Sequence, residues 1–259
     1  MRIATLNAAG IRPRMPLILD WLATHEPDVL AIQETKVEDD KFPLDDFEEL
    51  GYHAAIHGQK SWNGVAIVSR HPIQNVRQGF GDELFPNDCR ILSCETNGYK
   101  ILNTYVPNGT AVGTDKWDYK LRWLERFATF LRQNYRPEEK FVWLGDVNIA
   151  PKPEDVYNSK RFFNGVGHHP DEFTRLDKIL EFGLVDVFRK HHSGPGYYTY
   201  FDFVIPNSPE RNLGWRIDHI YATQPLADRC VACTIDKEAR MQPKPSDHTF
   251  LTAEFEDAL

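Results

Sequence analysis

Cysteine is scarce, with four in 259 residues, at positions 89, 94, 230 and 233. A chain this long buries roughly 70–75% of its unfolded surface without covalent staples, so no disulfide framework is needed. The single CxxC, in "RCVACTI", lies in a Val/Thr/Ile strand pattern. Residues three apart there should face opposite sides of a sheet. A zinc site also needs a second tight pair, and Cys89 and Cys94 are five apart. The thiols read as structural, in a reducing compartment. No apolar run approaches the roughly 20 residues of a membrane span. The opening "MRIATLNAAG" is too short and too polar for a secretory leader, so we expect a soluble cytoplasmic protein. Cations are outnumbered, 30 Lys and Arg against 38 Asp and Glu, for a net charge of −8. That disfavours indiscriminate nucleic-acid binding, although a divalent cation would reverse the field inside an acidic pocket. The absence of GxxxxGK[ST] excludes a P-loop nucleotidase, and the absence of GxSxG argues against a serine elbow. There is no low-complexity tract, like-charge block or internal repeat, which leaves no case for disorder or a solenoid.

What is present is a long alternation of strands and helices. Strand-like runs are "RIATLN" (2–7), "VLAIQ" (29–33), "GVAIVS" (64–69), "RILSCET" (90–96), "KILNTYV" (100–106), "FVWLG" (141–145), "YTYFDFV" (198–204), "WRIDHIYAT" (215–223) and "TFLTAEF" (249–255). Helical patterns cover 15–25, 116–135 and 171–183, the second with Trp117, Leu121, Leu124, Ala128 and Leu131 as its apolar stripe. The pattern predicts an α/β or α+β class and one domain over residues 1–259. "SGPGYY" and "RMQPKPSD" read as loops, since strands continue beyond them.

Polar residues stand where several of these runs stop. Asn7 ends the first and Glu34 follows the second. Asp146 and Asn148 follow "FVWLG", Asp218 lies in "WRID", and Asp247–His248 precede the final strand. One such residue is ordinary, because strands must surface somewhere. Four carboxylates with one histidine at such junctions suggest a site at the strand ends. That set suits hydrolysis with a hard divalent cation, which takes oxygen ligands and one or two carboxylates. Glu34 fits as ligand, with Asp247 assisting. Asp146 fits as the group that orients or deprotonates water, and His248 as proton carrier or charge stabiliser, its tautomer fixed by Asp218.

With these residues in place, the sequence resembles the exonuclease III / AP endonuclease branch of the endonuclease–exonuclease–phosphatase superfamily. The motifs are "LNAAGIR" (6–12), "QETK" (33–36), "NTYVPNG" (103–109), "LGDVNIAP" (144–151), "LGWRIDHI" (213–220) and "SDH" (246–248), in the family's order. The resemblance implies a four-layer α/β sandwich, two packed mixed sheets flanked by helices, with the site at one end. It implies a metal site of Glu34, Asn7 and Asp247. The catalytic group it implies is Asp146, His248, Asp218, Tyr105 and Asn148. Whether Asp146 or His248 is the base stays open. It further implies a pocket wall for an extrahelical abasic sugar from Tyr200, Trp215 and Ile217, with phosphate contacts from Asn108, Asn164, Arg12 and Lys36.

The expected function is a magnesium-dependent DNA phosphodiesterase of base-excision repair, with manganese as substitute metal. It would act as a monomer on double-stranded DNA, cutting 5′ to abasic sites and trimming 3′ ends. One departure stands out. Ala9 occupies the place of a family Asn or Asp, which predicts weaker metal binding and supports the alternative of a catalytically weakened nucleic-acid-binding regulator. A phosphatase or phospholipid esterase of the same superfamily fits less well with "LGWRID". Arg14, Lys60, Lys116 and Lys120 read as solvated cations, as do His168–His169 and His191–His192 as solvated loop residues. His53 and His57 lack a third ligand. Alternation also predicts that Trp215/Ile217 and Arg216/Asp218 face opposite ways.

Overall fold

The central strands are apolar on consecutive residues, so both of their faces must be covered, and the fold provides that cover. The structure is a computed structural model and describes residues 1–82, 84–85 and 88–256. Its strands are β1 (Arg2–Asn7), β2 (Val29–Gln33), β3 (His53–His57), β4 (Val65–Ser69), β5 (Ile73–Gln78), β6 (Ile91–Thr96), β7 (Tyr99–Tyr105), β8 (Phe141–Asp146), β9 (Leu184–Asp186), β10 (Asp218–Thr223), β11 (Cys230–Asp236) and β12 (Phe250–Phe255). They form two six-stranded sheets, ordered β11-β12-β1-β2-β4-β3 and β5-β6-β7-β8-β10-β9. Both are mixed, with parallel pairs β1/β2 and β7/β8 among antiparallel neighbours. The α-helices are α1 (Met15–His25), α2 (Leu44–Glu49), α3 (Asp115–Asn134), α4 (Ser159–Phe162), α5 (Pro170–Leu180), α6 (Val187–His191) and α7 (Gln224–Ala227).

Alternation along single strands builds four layers. Val29 and Ala31 of β2 enter the core between the sheets, together with Val142 and Leu144 of β8. Leu30 and Ile32 face the other way, onto Ile18, Trp21 and Leu22 of α1 and Phe47 of α2. Phe141 and Trp143 of β8 pack on Trp123, Phe127 and Leu131 of α3 and Leu176 and Ile179 of α5. Each fully buried Val, Leu or Ile adds about 1.5–3 kcal/mol. The order is therefore helix, sheet, sheet, helix, as the resemblance implies.

Several details differ from the sequence reading. Residues 198–204 form no strand; Tyr200 makes only isolated bridges, to Trp215 and to His248. The tenth strand starts at Asp218, three residues later than expected. β3, β5 and β9 escaped notice because each is a sheet edge or a three-residue stub, and β5 is largely exposed. The two thiols of the CxxC share one core, since a bulge between Cys230 and Ala232 shifts the phase of β11. All four cysteines are free and buried. On α3, Leu121 is only half-buried, while Lys120 is wholly enclosed. Among the described residues no helix is long and apolar enough to cross a membrane.

Candidate active site

Strand register brings distant polar residues to one end of the sandwich. β12 runs antiparallel to β1, with Leu251 opposite Thr5, so the turn before β12 meets the end of β1. Ser246 Oγ fixes that meeting by donating to the Asn7 carbonyl at 2.7 Å and accepting the His248 amide at 3.1 Å. In the parallel pair β1/β2, Asn7 lies opposite Gln33, which leads into Glu34. In the second sheet Asp146 lies opposite Tyr105 on one side and Asp218 on the other. Gly145 allows the close approach: a Cβ there would stand 2.1 Å from the Thr104 carbonyl oxygen. Beneath the site a buried amide network joins the sheets. Gln33 Nε2 donates to Thr5 Oγ1 (2.9 Å) and Asn103 Oδ1 (2.7 Å), and Asn103 Nδ2 donates to the carbonyls of Ile32 and Ala66. Both residues sit inside quoted motifs, yet only their burial reveals this role.

The expected residues largely converge. Glu34, Tyr105, Asn108, Asp146, Asn148, Tyr200, Trp215, Ile217, Asp247 and His248 line one cavity of about 290 Å³. Val166 and Gly167, which had no sequence signal, complete its wall. Asn7 lies just behind, its Nδ2 donating to Glu34 Oε1 at 2.9 Å and to Asp146 Oδ2 at 2.8 Å, so it holds the two carboxylates together. Its Oδ1 accepts the Ala9 amide at 2.9 Å. Asp218 also stands behind the lining, with its Oδ2 2.8 Å from His248 Nδ1. Lys36 pairs with Glu34 at 2.7 Å. Arg12 and Asn164 do not join the group. Both are exposed and outside the cavity, with Arg12 reaching only the Lys41 carbonyl at 3.4 Å.

Electrostatics divide the polar residues into roles. Burial would suppress charge on His248, but Asp218 and Asp146 outweigh it and hold the imidazole up to about 10. At neutral pH it is a cation, with Nδ1–H on Asp218 and Nε2 3.9 Å from Asp146. Burial, with help from Asp218 and Glu34, pushes Asp146 up to about 7 against the pull of His248. Burial opposes ionisation of Glu34 too, but hydrogen bonds from Lys36 and Asn7 prevail and leave it below the usual carboxylate range. Burial also raises the Tyr105 phenol, which stays protonated. Four carboxylates (Glu34, Asp146, Asp218, Asp247) thus face two cations (Lys36, His248), an excess of negative charge that adds to the burial raising Asp146. A divalent cation would relieve it.

Two groupings could take such an ion. Asp146, Asp218 and His248 offer atoms within 4.8 Å of one another, but the imidazolium already serves Asp218 there. Glu34 and Asp247 also line the cavity and offer only oxygens, which suit a hard ion better, although among the described residues they form no cluster of three within 4.8 Å.

Alternation holds at Trp215–Ile217 and fails after it. Trp215 and Ile217 face the cavity, while Arg216 points away and is fully buried. The amides of Ile217 and Asp218 both donate to Thr199 Oγ1, at 3.2 and 3.1 Å. Successive amides of a regular strand point to opposite sides, so the backbone departs from regular strand geometry here. Asp218 thereby serves the same site as Trp215.

Arg216 anchors the wall. It donates through Nε to Asp155 (2.7 Å), through Nη2 to Asp186 (2.8 Å) and through Nη1 to His219 Nδ1 (3.0 Å), and His219 Nε2 donates to the Ile149 carbonyl (2.8 Å). Burial, then Arg216, holds His219 down to about 4, as the neutral ring. A depressed folded-state pKa means stability is intact above 6.5 and lost as pH falls through 6.5 towards 4, by about 3 kcal/mol in all. Glutamine can accept from Arg216 and donate to Ile149 without titrating. In His219→Gln, the fall in Tm between pH 6.5 and 4 should therefore be visibly shallower than in wild type; parallel curves would contradict this.

Of the paired loop histidines, His168 is enclosed, His169 and His192 are half-buried and His191 is exposed. His168 is buried, with Nδ1 2.6 Å from the Ala150 carbonyl and Nε2 2.8 Å from Ser159. His169 caps α5, and His191 and His192 reach the carbonyls of Cys230 and Cys233.

Comparison with known proteins places this arrangement. The profile of the Endonuclease/Exonuclease/phosphatase family matches residues 4–248. Exodeoxyribonuclease III of Haemophilus influenzae is 31% identical over 267 residues, spanning 98% of this chain and 100% of that protein. An AP endonuclease from Archaeoglobus fulgidus superposes with TM-score 0.96 at 41% identity, over 99% of this chain and 100% of the other. A 3′–5′ exonuclease from Neisseria meningitidis does so with TM-score 0.95 at 34% identity, over 99% and 100%. The chain belongs to the endonuclease/exonuclease/phosphatase family, in its exonuclease III / AP endonuclease branch.

Proposed function

We propose that this protein is a divalent-metal-dependent DNA phosphodiesterase that incises 5′ to abasic sites and trims 3′ ends. The observation that carries the reading is an imidazolium, His248, held by Asp218 beside the buried carboxylate Asp146 in a cavity with oxygen donors. The open choice of base narrows here. A histidine held up to about 10 has no free lone pair at neutral pH, while Asp146, near 7, can accept a proton from water. His248 then acts by charge on the phosphate, and Asn148, Asn108 and Tyr105 supply neutral contacts. Glu34, with Asp247 assisting, would hold magnesium or manganese, which polarises phosphate oxygens when bound. The acidic set is assembled despite Ala9, so a non-catalytic regulator is not favoured.

The apolar wall of Tyr200, Trp215, Ile217 and Val166 supports the abasic preference, since a small walled pocket takes a deoxyribose without its base and excludes an intact nucleotide by size. Purified protein should cut a duplex with one abasic analogue in magnesium and stop with chelator; no cutting with any divalent metal sinks the reading. Trp215→Ala should lower discrimination for abasic over intact DNA about ten- to a hundredfold, matching the loss of roughly 1.5–3 kcal/mol of aromatic contact. Competition between the two duplexes measures it. An unchanged ratio removes Trp215 from recognition.

A further inference from the structure

Lys120 and Glu172 form an ion pair beneath the cavity wall, and both side chains are 0% exposed. Lys120 Nζ also donates to the backbone carbonyls of Asn108 (3.1 Å) and Asn148 (2.8 Å). Glu172 accepts the amide of Gly167 at Oε1 (3.0 Å) and of His169 at Oε2 (3.1 Å). The ammonium's three hydrogens and both carboxylate oxygens are thus engaged. Three separate loops end on this pair: the one after β7, the one after β8 and the one entering α5. Each gives the cavity a wall residue, Asn108, Asn148 and Gly167 respectively.

Stability alone is a poor reason for such a pair, because apolar residues of similar volume commonly serve a core as well or better. The surroundings are fitted to it nonetheless. A Cβ at Gly109 would stand 3.0 Å from Lys120 Cδ, so the loop closes tightly on the lysine stem. Asn148 has a left-handed backbone, φ 54°. Its amide is fixed by Asp146 Oδ1 (3.0 Å) and its carbonyl by Lys120. Its side chain accepts from Asn108 Nδ2 at 3.0 Å. Release of Lys120 would free the backbone carbonyls of both asparagines, leaving Asn148 held by Asp146 and by its side-chain bond to the Val106 carbonyl (2.9 Å).

We infer that the Lys120–Glu172 pair is a positioning device, which sets Asn108 and Asn148 for the scissile phosphate and ties them to the Gly167 wall. The inference rests on the nuclease reading above, so its test includes a readout that needs no substrate. In Glu172→Gln, and in the doubly neutral Lys120→Met/Glu172→Gln protein, hydrogen exchange at the Gly167 and His169 amides should accelerate. The kcat on abasic duplex should fall about ten- to a hundredfold, as for other residues that orient catalytic groups, while KM moves far less. The double variant buries no unpaired charge, and Glu172→Gln keeps size and one acceptor. At least one of them should fold, and kcat is measured below its Tm. A lowered Tm with wild-type kcat, or a loss confined to KM, would reduce the pair to packing and overturn the inference. If wild type itself cuts nothing, the nuclease reading fails, and exchange at the two amides still decides whether the pair holds the loop.

Discussion

Asp146→Asn should lower kcat on abasic duplex by on the order of 10³-fold, within the 10²–10⁴ that a positioned base supplies, with no loss of Tm at pH 8 in chelator. The substitution keeps the volume of a side chain that is 1% exposed. One amide atom can still accept, though the other faces Asn7 Nδ2 or the Asn148 amide as a donor, a local cost. Against that stands the charge. The folded-state pKa is raised from 3.8 to about 7, so the carboxylate's favourable contribution is present below 3.8 and gone above about 7. At pH 8 the ionised group opposes folding, next to Asp218 and Glu34, and asparagine removes that repulsion. Activity and stability should therefore part company, as expected where a site holds charge it needs for chemistry. Single-turnover cleavage and a thermal melt suffice. A variant cutting within tenfold of wild type would show that Asp146 does not handle the attacking water.

The parts of this site that a sequence displays are those where strand burial forces a pattern. β1, β2, β4, β7 and β8 are covered on both faces, so they read as apolar runs, and the first polar residue after each stands out. That is why Asn7, Glu34, Asp146, Asn148, Asp218 and His248 are visible at strand junctions, while Tyr105 comes only from the resemblance. What stayed hidden depends on contacts that no local pattern encodes. Lys120 sits in a helix next to Lys116 and reads as solvated, but tertiary packing encloses it against Glu172, 52 positions later. Gln33 and Asn103 bridge the two sheets across 70 positions. Irregular backbone was equally opaque: Tyr200 has strand-like neighbours, yet works from an isolated bridge, its ring 5.0 Å from that of His248. Arg12, placed by its motif, and Asn164, placed by the resemblance more loosely, lie at the surface outside the cavity, so the cavity gives no role to either.

Asp218→Asn should cost nearly as much as loss of the base while leaving every cavity-lining residue in place. Asp218 never touches the cavity; it acts on His248 through one 2.8 Å contact to Nδ1. Its charge is the chief influence opposing burial, which otherwise drives the imidazole towards its neutral form. Asparagine keeps a hydrogen-bonding atom near Nδ1 but removes that charge. The ring should then titrate well below about 10, and at pH 7–8 it loses the proton with which it meets the phosphate. Removing one preorganised donor of this kind typically costs on the order of 10²–10³ in kcat. The pH profile separates this from simple damage. In wild type, activity needs Asp146 ionised and His248 protonated, which opens a window whose alkaline edge is held up to about 10, while a bound cation draws its acid edge down from the metal-free value of about 7. In the variant the alkaline limb should slide down further than the acid limb, which also falls because Asp218 helps raise Asp146, so the window in which both groups are correctly charged shrinks. Adjusting pH should therefore restore little activity. An alkaline limb that stays put, with only the height reduced, would mean that Asp218 holds the ring's orientation and not its charge.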